Sequence, residues 1–293
     1  MEFSYKITVF TPAYNRAVEL QRLYDSLLTQ DYTDFEWLIV DDGSADNTKE
    51  VVEAMLREGR ITIRYIYQEN RGKSMAVNHG IDEAAGDVFF CIDSDDFFLP
   101  NVLGRVAEEW EKIKDDPQIA GLGFLHHHAG TDRVVGTPFP QDGMTSTYYD
   151  IYNTHKVTGD KQLIFKTAVM RDNKFPEFAG EKFVPEALVF NRISGRLKMK
   201  FFNTAIVYKE YLASGYTAGY FKLCKRNPKA QCLYYKELYA LQPSLYNAAA
   251  YDMYCMYAGK KMMTAVKEHP APLAALLMYL PAYVKRLLKE RES

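Results

Sequence analysis

Asp93, Asp95 and Asp96 place three carboxylates within four residues, directly after the apolar run Val88-Phe89-Phe90-Cys91-Ile92. Like charges on one tight turn repel unless a cation neutralises them or one acid keeps its proton. A hard divalent ion shared with the phosphates of a substrate meets that demand, because magnesium usually takes only one or two protein carboxylates. The alternative is an acidic turn that caps the helix expected after Leu99-Pro100, since Asp is favoured at turns and caps.

The elements that must hold this turn alternate along the chain. The Val88 run reads as a buried strand, and three strand–helix units precede it. Ile7-Thr8-Val9-Phe10 is a β-rich run broken by Thr11-Pro12-Ala13-Tyr14-Asn15-Arg16, after which Leu20, Leu23, Leu27 and Leu28 fall at helical spacing. Phe35 to Val40 forms a second strand ending in Asp41-Asp42-Gly43-Ser44, and Asp46-Asn47-Thr48 can cap a helix that Gly59 closes. Ile61 to Tyr67 is the third strand, and Asn70-Arg71-Gly72-Lys73-Ser74 leads into a helix from Met75 to Ala85. Strict alternation argues for a parallel sheet of right-handed βαβ units covered on both faces. Its strands then end on one edge, where open α/β sheets bind their ligands.

Each strand end offers a nucleotide something. Asp41 and Asp42 can accept hydrogen bonds from a base or ribose. Arg71 and the amides opening the Ser74 helix can face a phosphate. Taken singly, Asp-Asp-Gly-Ser is also a good turn and Arg71 and Lys73 are also ordinary solvated cations. Two other phosphate sites are excluded. Gly72-Lys73-Ser74 looks like the tail of a Walker loop, but Tyr67 occupies the place of its first glycine. No GxGxxG follows the first strand, which disfavours a dinucleotide-binding Rossmann enzyme.

Val9 to Arg16, Leu38 to Ser44, Asn70-Arg71-Gly72 with Ala76 and Asn78, and Asp93-Ser94-Asp95-Asp96 together resemble the family 2 glycosyltransferases of GT-A fold. The resemblance covers about the first two-thirds of the chain. It implies a nucleotide-sugar donor, usually UDP-linked, a Mg2+ or Mn2+ cofactor, and transfer with inversion at the anomeric carbon. Carried over by position, Thr11, Pro12, Tyr14 and Asp42 flank the nucleoside with Asp41 close by. Asp93 and Ser94 face the ribose and metal side, and Asp95, with Asp93, ligates the metal. The implied acceptor is a glycan or a lipid-linked glycan, in bacterial cell-surface polysaccharide synthesis. The alternatives are a nucleotidyltransferase of related fold and a catalytically degenerate sugar-binding module.

Beyond the acidic turn, Asn101 to Lys114 reads as an amphipathic helix, Ile119 to Leu125 as a strand and Lys161 to Met170 as another. His126-His127-His128 is expected to hold no metal, because adjacent strand residues point to opposite faces; surface or acceptor-groove histidines are expected instead. Thr131 to Thr147 reads as a long loop or hairpin on the acceptor side. Pro185 suits the first turn of a helix closed by Gly195, which puts Glu186 where the helix dipole stabilises a carboxylate. In the family, an acidic pair at a similar helix start, with an Arg two turns on, supplies the catalytic base. Glu186 and Arg192 match that spacing, but Pro185 stands where the pair's first acid would be, so Glu181 is a rival base and a capping role for Glu186 remains open.

The whole composition fits an ordinary globular protein: 293 residues, 47% hydrophobic and 25% charged. A net charge of −2, with no basic stripe, gives no case for nucleic acid. Cys91, Cys224, Cys232 and Cys255 are scattered without a CxxC pair, so reduced thiols in a cytoplasmic setting are expected, and the N-terminus shows no secretory pattern. Tyr211 to Thr217 resembles the family's closing loop near the diphosphate. Ala271 to Val284 is apolar but too short to span a bilayer, and Lys285, Arg286, Lys289 and Arg291 follow it. Core or homodimer packing and a basic amphipathic contact with the inner face of the membrane are the two readings of that segment. The expected organisation is therefore a GT-A α/β domain over residues 1–215, Rossmann-like with a mostly parallel sheet and helices on both faces, and a C-terminal α-helical region over 216–293.

Overall fold

A computed structural model describes residues 6–210, 219–260 and 264. The segments Tyr211 to Thr217 and Ala271 to Arg291, and the expectations attached to them, lie outside the described residues. By internal contacts the chain divides into two units, Met1–Lys174 with Phe190–Leu212 and Phe175–Val189 with Ala213–Ser293.

The first unit opens with the expected alternation: β1 (Ile7–Ala13), α1 (Ala17–Leu27), β2 (Phe35–Asp41), α2 (Thr48–Glu58), β3 (Ile63–Tyr67), α3 (Lys73–Glu83) and β4 (Val88–Cys91). It continues with β5 (Phe97–Phe98), α4 (Leu103–Glu111), β6 (Ile119–His128), β7 (Met144–Ser146), α5 (Tyr148–Asn153), β8 (Lys161–Lys166) and α6 (Thr167–Asp172). After α7 (Glu186–Ser194), whose first turn counts with the second unit, β9 (Lys198–Lys209) completes the sheet. The nine strands run in the order β3-β2-β1-β4-β8-β6-β9-β5, with β7 paired to β9. The four strands read as βαβ units pair in parallel, as do β6 and β9. The remaining pairings are antiparallel.

Local chemistry accounts for these elements. The leucines of α1 sit on a buried face against Trp37, which stacks on Tyr24 with ring centroids 6.1 Å apart. Asp46 rather than Asn47 caps α2, accepting from the Thr48 amide at 3.1 Å, and Gly59 ends it in the left-handed region at φ 63°. Pro12 lies inside the central strand β1, where the sequence reading places a break. The cause is the ladder: β1 pairs with β4 only as far as Phe10, and the Phe10 carbonyl still accepts from Ile92 on that side. Two residues on, the missing N–H of Pro12 points to the same side, beyond the end of the ladder, and nothing is lost.

Two sequence boundaries need correction. The strand expected from Lys161 to Met170 stops at Lys166, because Thr167 turns into α6 with its amide and hydroxyl bonded to the carbonyls of Asp87 and Gly86. The strand expected to end at Leu125 runs on to His128, paired with the end of β9. As a result His126 is buried in the sheet, not on the surface.

The second unit is helical: α8 (Tyr220–Arg226), α9 (Pro228–Leu241) and α10 (Leu245–Tyr257). Its core gathers Phe183, Cys224, Cys232, Tyr251, Tyr254, Cys255 and Met256. Among the described residues no cysteine is joined in a disulfide. Asn227 ties the Phe175–Val189 segment to these helices, its Oδ1 accepting from the amides of Lys182 at 2.8 Å and Phe183 at 3.1 Å. Among the described residues no helix is long and apolar enough to cross a membrane.

Candidate active site

The site grows from the end of β4. The turn after Ile92 is closed by a bond from the Asp96 amide to the Asp93 carbonyl at 3.1 Å. It brings one oxygen each of Asp93, Asp95 and Asp96 within 4.8 Å of one another. The three acids differ in what surrounds them. Asp93 lies between two ammonium groups, with Lys73 at 2.5 Å on one oxygen and Lys209 at 3.2 Å on the other. Burial alone would raise its pKa, but the two lysines outweigh it and hold the carboxyl well below the usual range. Asp96 is almost fully buried and pairs with Lys209 at 2.9 Å. Burial, reinforced by the charge of Asp93, still pushes it up to about 7. Among the described residues Asp95 has no salt bridge, and burial and then the charge of Asp93 raise its pKa.

Arg22 and Glu210 brace the turn from behind. Arg22 donates to the Asp95 carbonyl at 2.6 Å, pairs with Glu210 at 2.5 Å and covers the ring of Phe97 at 4.5 Å. The Glu210 amide in turn donates to Asp96 at 3.3 Å.

This donor set fits a divalent cation. Hard oxygens converge within 4.8 Å of one another, and among the described residues Asp95 forms no salt bridge, so its carboxylate is the one that no lysine or arginine neutralises directly. Asp95 would be the principal ligand, with Asp93 shared between the ion and its lysines.

The second strand end is organised differently. Asp41 is buried, one oxygen accepting from the Ser44 amide at 2.8 Å and the other from the Tyr65 hydroxyl at 2.6 Å. Asp42 accepts from the amides of Arg71 and Gly72, both at 2.8 Å, and from Gln68 at 2.7 Å. It thereby fixes the loop that opens α3. Gly43, at φ 84°, lets this happen, since a Cβ there would lie 2.8 Å from the Asn70 amide nitrogen. The structure thus joins Asp41, Asp42 and Arg71 in one corner at the C-terminal edge of the parallel strands. Thr11 is fully buried and its hydroxyl accepts from Trp37, Ser94 is buried, and Tyr14 is half exposed.

Glu181 and Glu186 belong to the second unit. Both oxygens of Glu181 accept amides at the start of α9, Lys229 at 2.7 Å and Ala230 at 2.9 Å, so its carboxylate is a helix cap. Glu186 is exposed in the first turn of α7.

Sequence reasoning missed Lys209, Arg22 and Glu210, and it offered Lys73 only as a phosphate contact or a solvated cation. It also missed the linkage behind the acidic turn, in which Gln162 donates to the Cys91 carbonyl at 2.8 Å and meets His126 at 3.3 Å. Burial, and then the charge of Lys209, lower the pKa of His126 to about 3, so it is neutral in the folded protein. An unfolded histidine titrates at about 6.5. The unfolded chain therefore binds the extra proton first, and stability is full above about pH 6.5 and falls as pH drops toward 3. Chemical denaturation at pH 7.5 and pH 5 should show a smaller acid loss in His126→Gln than in wild type. Equal losses would show that another group carries the acid sensitivity.

A parallel half-sheet with an acidic turn at its C-terminal edge, extended by mixed strands, is the architecture of a GT-A glycosyltransferase. The profile of Glycosyl transferase family 2 matches residues 8–169, more than half of the chain, and the chain belongs to this family. A curated relative, the GalNAc(5)-diNAcBac-PP-undecaprenol beta-1,3-glucosyltransferase of Campylobacter jejuni, is 32% identical over 106 residues, covering 36% of this chain and 34% of that one. The chain spans little more than a third of the length of the curated relatives it matches. Among solved structures, S. aureus TarS in complex with UDP-GlcNAc superposes with a TM-score of 0.62 at 18% identity, over 94% of this chain and 89% of that one. A mannosyltransferase from Pyrobaculum calidifontis in complex with GDP-Man and Mn2+ gives a TM-score of 0.56 at 17% identity, over 96% and 80%.

Proposed function

We propose that this chain is an inverting, metal-dependent glycosyltransferase that moves a sugar from a nucleotide sugar, with UDP as the nucleotide, to a glycan or lipid-linked acceptor in bacterial surface-polysaccharide assembly. The observation that carries the reading is the Asp93-Asp95-Asp96 cluster with Lys73 and Lys209, set at the C-terminal edge of the parallel strands. The family membership supports transfer, the UDP-GlcNAc bound by TarS supports the donor class, and the Mn2+ in the Pyrobaculum complex supports a divalent ion. The acceptor class is supported by the undecaprenol-linked substrate in the name of the Campylobacter relative.

In this reading the corner of Asp41, Asp42 and Tyr14 receives the nucleoside, with Thr11 and Pro12 lying beneath in β1 and Tyr14 at the end of that strand. Lys73 and the amides opening α3 face the diphosphate. Asp95, with Asp93, holds Mg2+ or Mn2+. A bound divalent ion would neutralise the charge that builds on the leaving nucleotide. Glu186 takes the proton from the acceptor hydroxyl as that oxygen attacks the anomeric carbon. This role rests on its place at a helix start and its spacing to Arg192.

The test is donor hydrolysis without acceptor across UDP-, GDP- and dTDP-linked sugars, with Mn2+ or Mg2+ present, read as nucleoside diphosphate released. Turnover of one UDP-sugar above all others is the expected result. Release from none of the donors, together with no binding of UDP by calorimetry, would overturn the reading.

A further inference from the structure

The acidic turn already carries a cation of its own. The register of β6 with β9 places Lys209 opposite His128, at the last residue of its strand. From there its side chain, only 13% exposed, enters the cluster and pairs with Asp96 at 2.9 Å and Asp93 at 3.2 Å. The next residue, Glu210, secures this position through its ion pair with Arg22 and through its own backbone amide, which donates to the Asp96 carboxylate. A long ammonium side chain held at both carboxylates and braced by its neighbour is not a solvated surface lysine.

The cluster is thus divided. Asp96 faces Lys209 and is shut away from solvent, Asp93 is shared by Lys209 and Lys73, and Asp95 has no salt bridge among the described residues. A divalent ion entering at Asp95 meets one free carboxylate and the repulsion of two ammonium groups. At separations of a few ångströms that repulsion exceeds thermal energy even at high effective dielectric. A diphosphate reverses the balance, because its oxygens complete the coordination of the ion and its charge is attracted by the same lysines.

We propose that Lys209 is a resident counter-ion that positions Asp93 and Asp96 and makes divalent-metal binding conditional on a nucleoside diphosphate. This inference rests on the glycosyltransferase reading for the identity of the ligand, and it assigns to Lys209 a positioning and gating role rather than contact with the reacting atoms. Ion and nucleotide then bind together far more tightly than the ion binds alone.

Direct binding of Mn2+, followed by the electron paramagnetic resonance signal of the free ion, tests this without turnover. Wild type is expected to bind Mn2+ alone weakly and to bind it at least about tenfold more tightly when saturating UDP is present. In Lys209→Met, Mn2+ alone should bind at least about tenfold more tightly than to wild type, and the UDP enhancement should shrink correspondingly. Lys209→Arg, which keeps the charge, should behave like wild type, and thermal melts of both variants establish that they are folded. Folded Lys209→Met with unchanged Mn2+ affinity and unchanged UDP enhancement would overturn the inference while leaving the metal site intact. An unfolded Lys209→Met passes the decision to Lys209→Gln under the same criteria. Wild type that binds no Mn2+ even with UDP would sink the metal-dependent reading itself.

Discussion

Asp95→Ala should lose sugar transfer by about 10²–10³-fold or more while remaining fully folded, and excess EDTA should impose the same loss on the wild-type protein. The magnitude follows from removing preorganised electrostatic stabilisation of a leaving group, for which a single donor is worth about that factor. The preserved fold follows from the structure. Among the described residues Asp95 makes no salt bridge, and burial together with Asp93 raises its pKa, so its charge is a strain on the turn and its loss relieves repulsion. The melting temperature should stay constant or rise. Asp93→Asn gives the contrast, because it leaves Lys73 and Lys209 without the carboxylate they share, and it should lower both activity and melting temperature. Turnover and thermal melts on the two variants separate a ligand from a structural acid. Full turnover in excess EDTA would falsify the metal-dependent mechanism.

Glu186→Gln should lower turnover by about 10²–10⁴-fold, the usual contribution of a positioned general base. The amide keeps the shape of the side chain but cannot accept the acceptor's proton. Donor affinity is set by other residues and should be nearly unchanged, so the loss appears in kcat and not in the dissociation constant of UDP. Glu181→Gln should do the opposite. Its carboxylate accepts the two amides that open α9, so the variant should transfer sugar at near wild-type rate and lose up to about 1 kcal/mol of stability through the weakened cap. Steady-state kinetics with a fixed acceptor, paired with denaturant melts, would reveal a reversed ranking, which would move the base to Glu181. Normal turnover in both variants would remove both from the role.

Much of the first unit was legible because its signals are local. The βαβ alternation, the glycine stop after α2 and the acidic turn after an apolar strand each lie within a stretch of about a dozen residues, and each has one inexpensive conformation. Pro12 was legible in identity but not in place. A proline in a strand reads as a break, and only the shortness of β4 shows that its missing donor faces no partner.

Periodicity alone therefore reveals the sheet's parallel half and the acids at its edge, because Asp41, Asp42, Asp93, Asp95 and Asp96 are spaced by its strands and helices. The surroundings of those acids come from contacts distant in sequence. Lys209 stands 116 residues from Asp93, and no local pattern links the two. Pairing of β6 with β9 delivers its ammonium to the cluster, buries His126 beside Gln162, and gives three nearly adjacent aspartates different surroundings, with the pKa of Asp93 lowered and those of Asp95 and Asp96 raised. The same holds for Glu181 and Glu186, two carboxylates close in sequence, one consumed by the amides of α9 and the other exposed on α7. Residue type and spacing fix which groups can do chemistry. Long-range packing fixes which of them hold a charge to do it with, because desolvation and ion pairing are properties of neighbours that the chain brings together only when folded.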